Sequence, residues 1–259
     1  MDRVTFSLRI ESGFFCLVFH LCTAYLEYGN KLLVDTSKWC YGRWNLYFQS
    51  LTEGFSANIN TIKSISLNVH KWTLGDYRRA IREIVRPNAA LRHEIKQVIQ
   101  RIGQPYTAIF VRRGDKIASG EAAFIPMSEI LKHVTYDENT VFFLQTDDYT
   151  VVEEMKALLP NHIIHSTVPP TKRGSYHSPK YKQNVAVPWT EKSPQDAYRE
   201  TMEMLAGLFV CLHAQHCWTD DTSNVGRFLK LYDDRVHVYP EDYSMNESLH
   251  LHPAWSLRS

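Results

Sequence analysis

The sequence has almost no net charge, no long apolar run and no cysteine-pair motif, and each absence narrows its possible functions. The 259 residues carry a formal net charge of +1, so the composition gives no indication of a nucleic-acid-binding protein. The most apolar stretch, residues 14–26, is interrupted by His20 and is too short to span a bilayer. Residues 1–9 contain charges and no apolar core, so we expect neither a signal peptide nor stable membrane insertion.

The cysteine pattern indicates the redox compartment of the protein. The cysteines are odd in number, none forms a C-x-x-C pair, and several lie in apolar runs, where cysteine behaves as a small hydrophobic residue. We therefore expect free thiols, a reducing compartment and a soluble cytoplasmic protein. The five are Cys16, Cys22, Cys40, Cys211 and Cys217.

The first part of the chain begins with the pattern of a βαβ unit. Residues 4–10 alternate as a strand, a helix runs to about Tyr28, and residues 31–35 form a second strand. Gly13 lies at the first strand-to-helix turn, where a glycine lets backbone approach a ligand closely. Gly29 is typical of a residue that ends a helix.

Two further predicted helices follow before the helical pattern ends at residues 103–105. The first covers residues 73–85, and the second starts after Asn88, a favourable capping residue. An apolar stripe at helical spacing marks the second helix and consists of Leu91, Ile95, Val98 and Ile102. Residues 103–105 then break the pattern, and we place a domain boundary there, with domains at 1–104 and 105–259.

The remainder of the chain alternates strands with helices, which predicts a doubly wound parallel sheet. The predicted strands are residues 107–111, 141–145, 162–165, 208–212 and 235–239. The predicted helices are residues 127–136, 149–159, 194–206 and 222–231. The polar stretch 169–192 is predicted to be a loop beside a site. Two α/β halves facing each other would hold a ligand in the cleft between them.

A cluster of cations follows the first buried strand of the second half. Arg112, Arg113 and Lys116 come directly after residues 107–111. In open α/β sheets the carboxyl ends of the strands bind ligands, and arginine can hold phosphate oxygens with two parallel hydrogen bonds. The alternative is a solvated cluster of charges on a loop.

Several blocks, taken in order, resemble a known enzyme family. They are SGFF at 12–15, DTSKWCYGRW at 35–44, VRRGDK at 111–116, EAAF at 121–124, FFLQTDD at 142–148, LFVC at 208–211 and TSNVGR at 222–227. This set resembles the α-1,6-fucosyltransferase superfamily, which includes core fucosyltransferases, nodulation fucosyltransferases and protein O-fucosyltransferases. The likeness extends over residues 12–240, nearly the whole chain.

The resemblance implies a GT-B fold, in which two Rossmann-like domains face each other across a cleft. It implies an inverting, metal-independent transferase that moves fucose from GDP-fucose to a glycan and uses no further cofactor. Arg112 would bind the β-phosphate of the donor and stabilise the charge on the leaving nucleoside diphosphate. Glu121 would be the base that takes the proton of the acceptor hydroxyl. Lys116 would hold the Glu121 carboxylate in place or relay the proton. The alternative for Glu121 is an exposed residue at a helix start.

The resemblance also implies a set of donor-binding residues. Arg113 and Asp115 follow Arg112, and Asp115 would orient Arg112 or Lys116. Asp147 and Asp148 would supply donor contacts and capping; adjacent residues at a strand end point apart, so we expect no metal site there. Residues 222–224 lie at a predicted helix start, which favours anions such as a diphosphate. The alternative is that they only cap the helix, and the two roles are compatible. The remaining expected donor contacts are Gly13, Phe14, Thr222, Ser223 and Asn224.

Three departures from the family pattern leave the donor open. Core fucosyltransferases have His where this chain has Phe110, and an Asp that reads guanine where our alignment places Arg199. Asp196 and Glu203 lie a turn away, and residues 213–221 look like an insertion between strand and helix. The alternatives are therefore GDP-fucose, a UDP-sugar such as UDP-xylose, or an inactive sugar-binding module. A minimal, soluble version of the family suggests cytosolic glycan synthesis in a bacterium or a large virus.

Overall fold

The computed structural model describes residues 3–8, 13–49, 51–52, 61–62, 71–113, 124–172, 191–220 and 223–239. The strands in these ranges are β1 (Val4–Ser7), β2 (Leu32–Asp35), β3 (Thr61–Ile62), β4 (Thr107–Val111), β5 (Phe142–Thr146), β6 (Ile164–His165), β7 (His216–Asp220) and β8 (His237–Tyr239). The α-helices are α1 (Phe14–Tyr28), α2 (Leu74–Ile84), α3 (Ala89–Ile102), α4 (Met127–His133), α5 (Thr150–Leu158), α6 (Pro194–Leu212) and α7 (Asn224–Tyr232). Short 3₁₀ helices cover Gly29–Lys31 and Trp44–Leu46.

The described strands form two parallel sheets. The smaller has the order β2-β1-β3, and the larger has the order β6-β5-β4-β7-β8. From β4 the chain moves outward through β5 and β6, then returns to the other side of β4 for β7 and β8. This arrangement confirms the predicted α/β class, including the doubly wound parallel sheet.

Strand β4 is the central strand of the larger sheet, and both of its faces are covered. Ala108 and Phe110 join a hydrophobic core that also contains α1, α3 and α6. Ile109 and Val111 join a second core, formed with α4 and α5 on the opposite face. Alternate residues of a strand point to opposite faces, so the uninterrupted apolar run is explained by burial on both sides.

The helix ends follow their local sequence signals. Thr73 caps α2 and forms a reciprocal capping box with Asp76. The side chain of Asn88 accepts a hydrogen bond from the Leu91 amide at 2.9 Å, and Gly103 ends α3 with a left-handed φ of 72°. The apolar stripe predicted for α3 is its buried face and consists of Leu91, Ile95, Val98 and Ile102.

One predicted strand is wrong. Residues 208–212 are the last turns of α6, and the strand that pairs with β4 is His216–Asp220. A short, fully buried apolar run has the same appearance in a helix as in a strand, and the end of α6 is buried from Leu205 to Leu212. The residues that looked like an insertion after 212 therefore contain the strand itself.

The two sheets are joined by helix packing. Helix α3 packs against α6, and α1 and α2 pack against α7. The rings of Phe15 and Phe228 lie 4.6 Å apart, and Arg82 Nε donates to the Tyr232 carbonyl at 2.6 Å. The boundary near residue 104 stays a prediction. Within the described ranges, no helix is long and apolar enough to cross a bilayer, and all five cysteines are free thiols.

We predict that Gly226→Ala destabilises the protein, because Gly226 is where α7 approaches β7. A methyl group there would collide with the Asp220 carbonyl oxygen, which belongs to the backbone and cannot rotate away. Overpacking of this kind costs about 1–3 kcal/mol, measured as the free energy of unfolding in denaturant.

Gly75→Ala in α2 is the matched control. Its added methyl would meet only Thr73 Oγ1, at 3.6 Å, and glycine in a helix is destabilising by roughly 0.5–1 kcal/mol relative to alanine. We expect this control to be neutral or stabilising. Equal stability of the two variants would contradict the close approach at Gly226.

Candidate active site

The candidate site lies where β4, β5 and β7 end. Val111 pairs with Thr146, and Ile109 pairs with Trp218, so the three strands end at one edge of the sheet. Neighbouring strands are about 4.8 Å apart, which brings the residues that follow them close together. The strand order reverses between β4 and β7, and ligands of open α/β sheets bind at such a reversal.

Asp147 connects the two arginines that follow β4. Its Oδ2 forms an ion pair with Arg112 Nη1, and its Oδ1 accepts a hydrogen bond from the Arg113 backbone N–H at 2.7 Å. The side chains of Arg112 and Asp147 are 12% and 9% exposed. Because water is largely excluded, their attraction is stronger than that of a surface pair, and the Arg112 guanidinium is held at the strand end.

Asp148 points away from Asp147. Its Oδ1 accepts hydrogen bonds from the backbone N–H of Thr150 at 2.9 Å and from the Thr150 hydroxyl at 2.8 Å, at the start of α5. The two carboxylates therefore diverge, as their adjacent positions predict. In the described ranges, no group of three or more His, Cys, Asp or Glu side chains is arranged to hold a metal ion.

The Arg113 side chain turns toward the face of the sheet that carries α4 and α5. Its guanidinium carbon lies 4.2 Å from the centre of the Phe124 ring, and its Nη2 lies 3.5 Å from Glu154 Oε2. Glu154 Oε1 accepts a hydrogen bond from the Met127 amide at 2.7 Å. Sequence reasoning missed Glu154, because a glutamate on a helix surface carries no signal of this role.

The start of α7 lies one strand away from Arg112. Ser223 is its cap: the hydroxyl accepts from the Gly226 amide at 3.0 Å, and the Ser223 amide donates to Asp220 Oδ1 at 2.7 Å. Asn224 is the first residue of the helix. Both were predicted at this helix start. The buried Asp220 was not singled out by sequence reasoning, yet it fixes the turn that precedes the helix.

Gly13 and Phe14 lie at the start of α1. Gly13 is the capping residue, with extended backbone at φ −60° and ψ 152°, and no side chain caps the helix there. The Phe14 ring is buried and lies 5.1 Å from the Trp39 ring. Only the backbone of Phe14 is therefore suited to contact a ligand, because its ring belongs to the core.

Lys172 is a partly buried cation that sequence reasoning missed. Its carbonyl accepts a hydrogen bond from the Tyr149 amide at 3.0 Å, which ties the segment to the start of α5. Burial lowers the pKa of its ammonium, and the negative charges of Asp147, Glu200 and Glu203 act in the opposite direction. The polar, loop-like sequence around it gave no indication that its side chain is partly buried or that these carboxylates act on its charge.

The alignment that gives Arg199 the guanine-reading position depends on a strand at residues 208–212, and those residues are helical. Arg199 and Asp196 form a surface ion pair at 2.7 Å near the start of α6. The assignment of Arg199 to this position stays a prediction. Further along α6, a Cβ on Gly207 would collide with the buried Gln145 side chain, whose Oε1 accepts a hydrogen bond from the Thr167 hydroxyl at 3.1 Å.

Four of the residues singled out in the sequence lie outside the described residues. They are Asp115, Lys116, Glu121 and Thr222. Their roles stay predictions.

We predict that Asp147→Asn destabilises the protein far more than Asp148→Asn. The first change removes the buried partner of Arg112 and should cost on the order of 3 kcal/mol. The second keeps a side-chain oxygen at a helix start, where Asn and Asp cap almost equally well. Denaturant unfolding of both variants measures the difference, and equal losses would contradict a central role for Asp147.

Known proteins resemble this chain in structure, whereas no family model and no curated protein matches its sequence. NodZ α-1,6-fucosyltransferase soaked with GDP-fucose aligns over 91% of this chain and 94% of that chain, with 12% identity and a TM-score of 0.55. The same enzyme co-crystallised with GDP gives 12% identity and a TM-score of 0.56 over the same shares. NodZ from Bradyrhizobium gives 13% identity and a TM-score of 0.53, again over 91% and 94%. These similarities show that the chain has the α/β fold of the NodZ fucosyltransferase structures, which agrees with the fold predicted from the sequence.

Proposed function

We propose that this protein is an inverting glycosyltransferase that moves fucose from GDP-fucose to a hydroxyl group of a glycan. The observation that carries the proposal is the buried Arg112–Asp147 pair at the carboxyl end of β4, in a chain with the NodZ fold. The NodZ structures in the comparison were obtained with GDP-fucose and with GDP. A nucleoside diphosphate therefore suits the chemistry proposed for this edge of the sheet.

Arg112 is proposed to stabilise the leaving group. As the sugar departs, negative charge develops on the diphosphate, and a cation already held in place stabilises that charge without reorganising. The pairing with Asp147 supports this role because it holds the guanidinium in one orientation at the strand end. The Lys172 ammonium interacts electrostatically with the same carboxylate.

The start of α7 is proposed to bind the diphosphate as well. Helix N-termini carry unpaired backbone N–H groups and a partial positive charge, both of which favour phosphate. Ser223 keeps the helix start in place, and Asn224 supplies the first amide of the helix. Gly13 and the backbone of Phe14, at the start of α1, are proposed as further donor contacts, with Thr222 beside Ser223.

Glu121 is proposed as the base that takes the acceptor's proton. Lys116 is proposed to hold that carboxylate or to relay the proton, and Asp115 to orient Arg112 or Lys116. An inverting transfer needs one group to accept this proton as the acceptor oxygen attacks the sugar carbon. In the same scheme, protein cations and helix amides neutralise the diphosphate, so no metal ion is required. The partners are the donor and a glycan acceptor, and a cytoplasmic location stays a prediction.

One observation, at the proposed position of the nucleotide base, favours a second candidate donor, a UDP-sugar. Guanine has hydrogen-bond donors at N1–H and N2–H₂ that need an acceptor group on the protein. Leaving a buried hydrogen-bond donor unpaired costs about 1–3 kcal/mol. Counted back from β7 by the spacing that separates Arg199 from the predicted strand, the base-reading position is proposed to be Gly207. Glycine has no carboxylate, and the neighbouring Gln145 amide has both a donor and an acceptor group. GDP-fucose remains the first choice, and a UDP-sugar such as UDP-xylose is the alternative.

We predict that calorimetry detects binding of GDP by the purified protein, together with fucosyl transfer or slow hydrolysis of GDP-fucose. The diphosphate contacts should be the same for GDP and UDP. The ratio of the dissociation constants of GDP and UDP therefore reports which base the protein prefers. Binding of UDP about tenfold tighter than GDP, a difference of about 1.4 kcal/mol, would replace fucose by a UDP-linked sugar. Binding without transfer or hydrolysis would instead indicate a sugar-binding module.

We predict that Arg112→Lys lowers transfer roughly 100- to 1,000-fold, because an ammonium cannot reproduce the planar fork of donors. Steady-state transfer rates measure the loss, and thermal unfolding checks that the fold survives. Arg235→Lys is the matched control, since Arg235 is exposed and pairs with Asp233 at 2.6 Å on the surface. A lysine variant as active as the native protein would remove Arg112 from the mechanism.

A further inference from the structure

We infer that Glu154 is a positioning residue: it holds the Arg113 guanidinium away from Asp147, so that Asp147 stays paired with Arg112. This inference rests on the proposed role of Arg112 in transfer. It also gives the two adjacent arginines different tasks, although sequence reasoning placed both in the donor site. Arg112 faces the donor, and Arg113 anchors the end of β4 to the helices beneath it.

The geometry around Glu154 joins three elements. Its Oε2 lies 3.5 Å from Arg113 Nη2, and its Oε1 accepts a hydrogen bond from the Met127 amide at 2.7 Å. Glu154 lies on α5, Arg113 follows β4, and Met127 is the first residue of α4. One carboxylate therefore sets the position of the β4 end relative to two helices.

The Arg113 charge is shielded from solvent on the side of the sheet that carries α4 and α5. Its side chain is 7% exposed, with Phe124 against its guanidinium. Its Nη2 is buried and has no hydrogen-bond partner among the described residues, so the Glu154 carboxylate at 3.5 Å supplies its compensation through charge. A buried cation without a nearby anion is costly, and Glu154 meets this requirement.

Asp147 is the point through which Glu154 acts. The Arg113 backbone N–H already donates to Asp147 Oδ1, and Arg112 occupies Oδ2. When Glu154 loses its charge, the Arg113 guanidinium is drawn to this carboxylate and competes with Arg112 for it. Arg112 then loses the orientation on which transfer depends.

The experiment uses Glu154→Gln, Arg113→Gln and the double variant in the full-length protein. The glutamine at 154 can still accept from the Met127 amide, so only the charge is removed. We expect Glu154→Gln to lower kcat about tenfold or more, with a smaller effect on the donor KM, because the defect concerns the charge that develops in the transition state. Glu129→Gln, in an exposed pair with Lys132 at 2.7 Å, is the matched control and should leave kcat unchanged.

The double variant tests the direction of the coupling. Because it removes both charges, it no longer has a cation that competes for Asp147, and we expect it to recover most of the kcat lost in Glu154→Gln. Losses that multiply across the two single variants, or a Glu154→Gln variant with native kcat, would overturn the inference. The double variant also keeps the test valid if Glu154→Gln folds poorly.

A measurement without turnover separates this inference from the proposed function. Guanidinium resonances of Arg112, followed by NMR in the absence of donor, should shift in Glu154→Gln and return toward their native values in the double variant. An unchanged Arg112 signal would overturn the positioning role even if the enzyme is inactive. A shifted signal in a protein that transfers no sugar would support the positioning role while contradicting the proposed function.

Discussion

The Asp147 carboxylate is the interaction on which the candidate site depends. It binds the side chain of one arginine and the backbone of the next, and so determines how the chain leaves β4. Both ends of this contact come from neighbouring parallel strands whose last residues pair in register. Because the ion pair is largely shielded from water, losing either partner would remove a strong stabilising contact from this strand end.

The same edge of the sheet explains why adjacent arginines have different surroundings. Consecutive residues at a strand end project to opposite sides, so Arg112 and Arg113 cannot share one task through their side chains. Arg112 stays with Asp147 at the edge, whereas Arg113 reaches Glu154 and Phe124 below it. The side chains of the two adjacent arginines of the sequence motif therefore bind different carboxylates in this structure.

Local sequence signals predicted most of the elements because each depends on near neighbours. The stripe of α3, the cap Asn88 and the apolar β4 all lie where the sequence indicates. The error came at residues 208–212, where α6 ends inside the core. There the apolar run is buried on every side, so its periodicity no longer distinguishes helix from strand.

The sequence by itself determined the α/β class, the order of most strands and helices, and the residue types at the strand ends. Only the tertiary structure decided that Arg113 pairs with Glu154, that the Lys172 carbonyl binds the Tyr149 amide, and that Gly207 faces Gln145. The physical reason is distance along the chain. Helix caps and strand alternation act over a few residues, whereas these contacts join segments that meet only after the sheet and its helices have packed together.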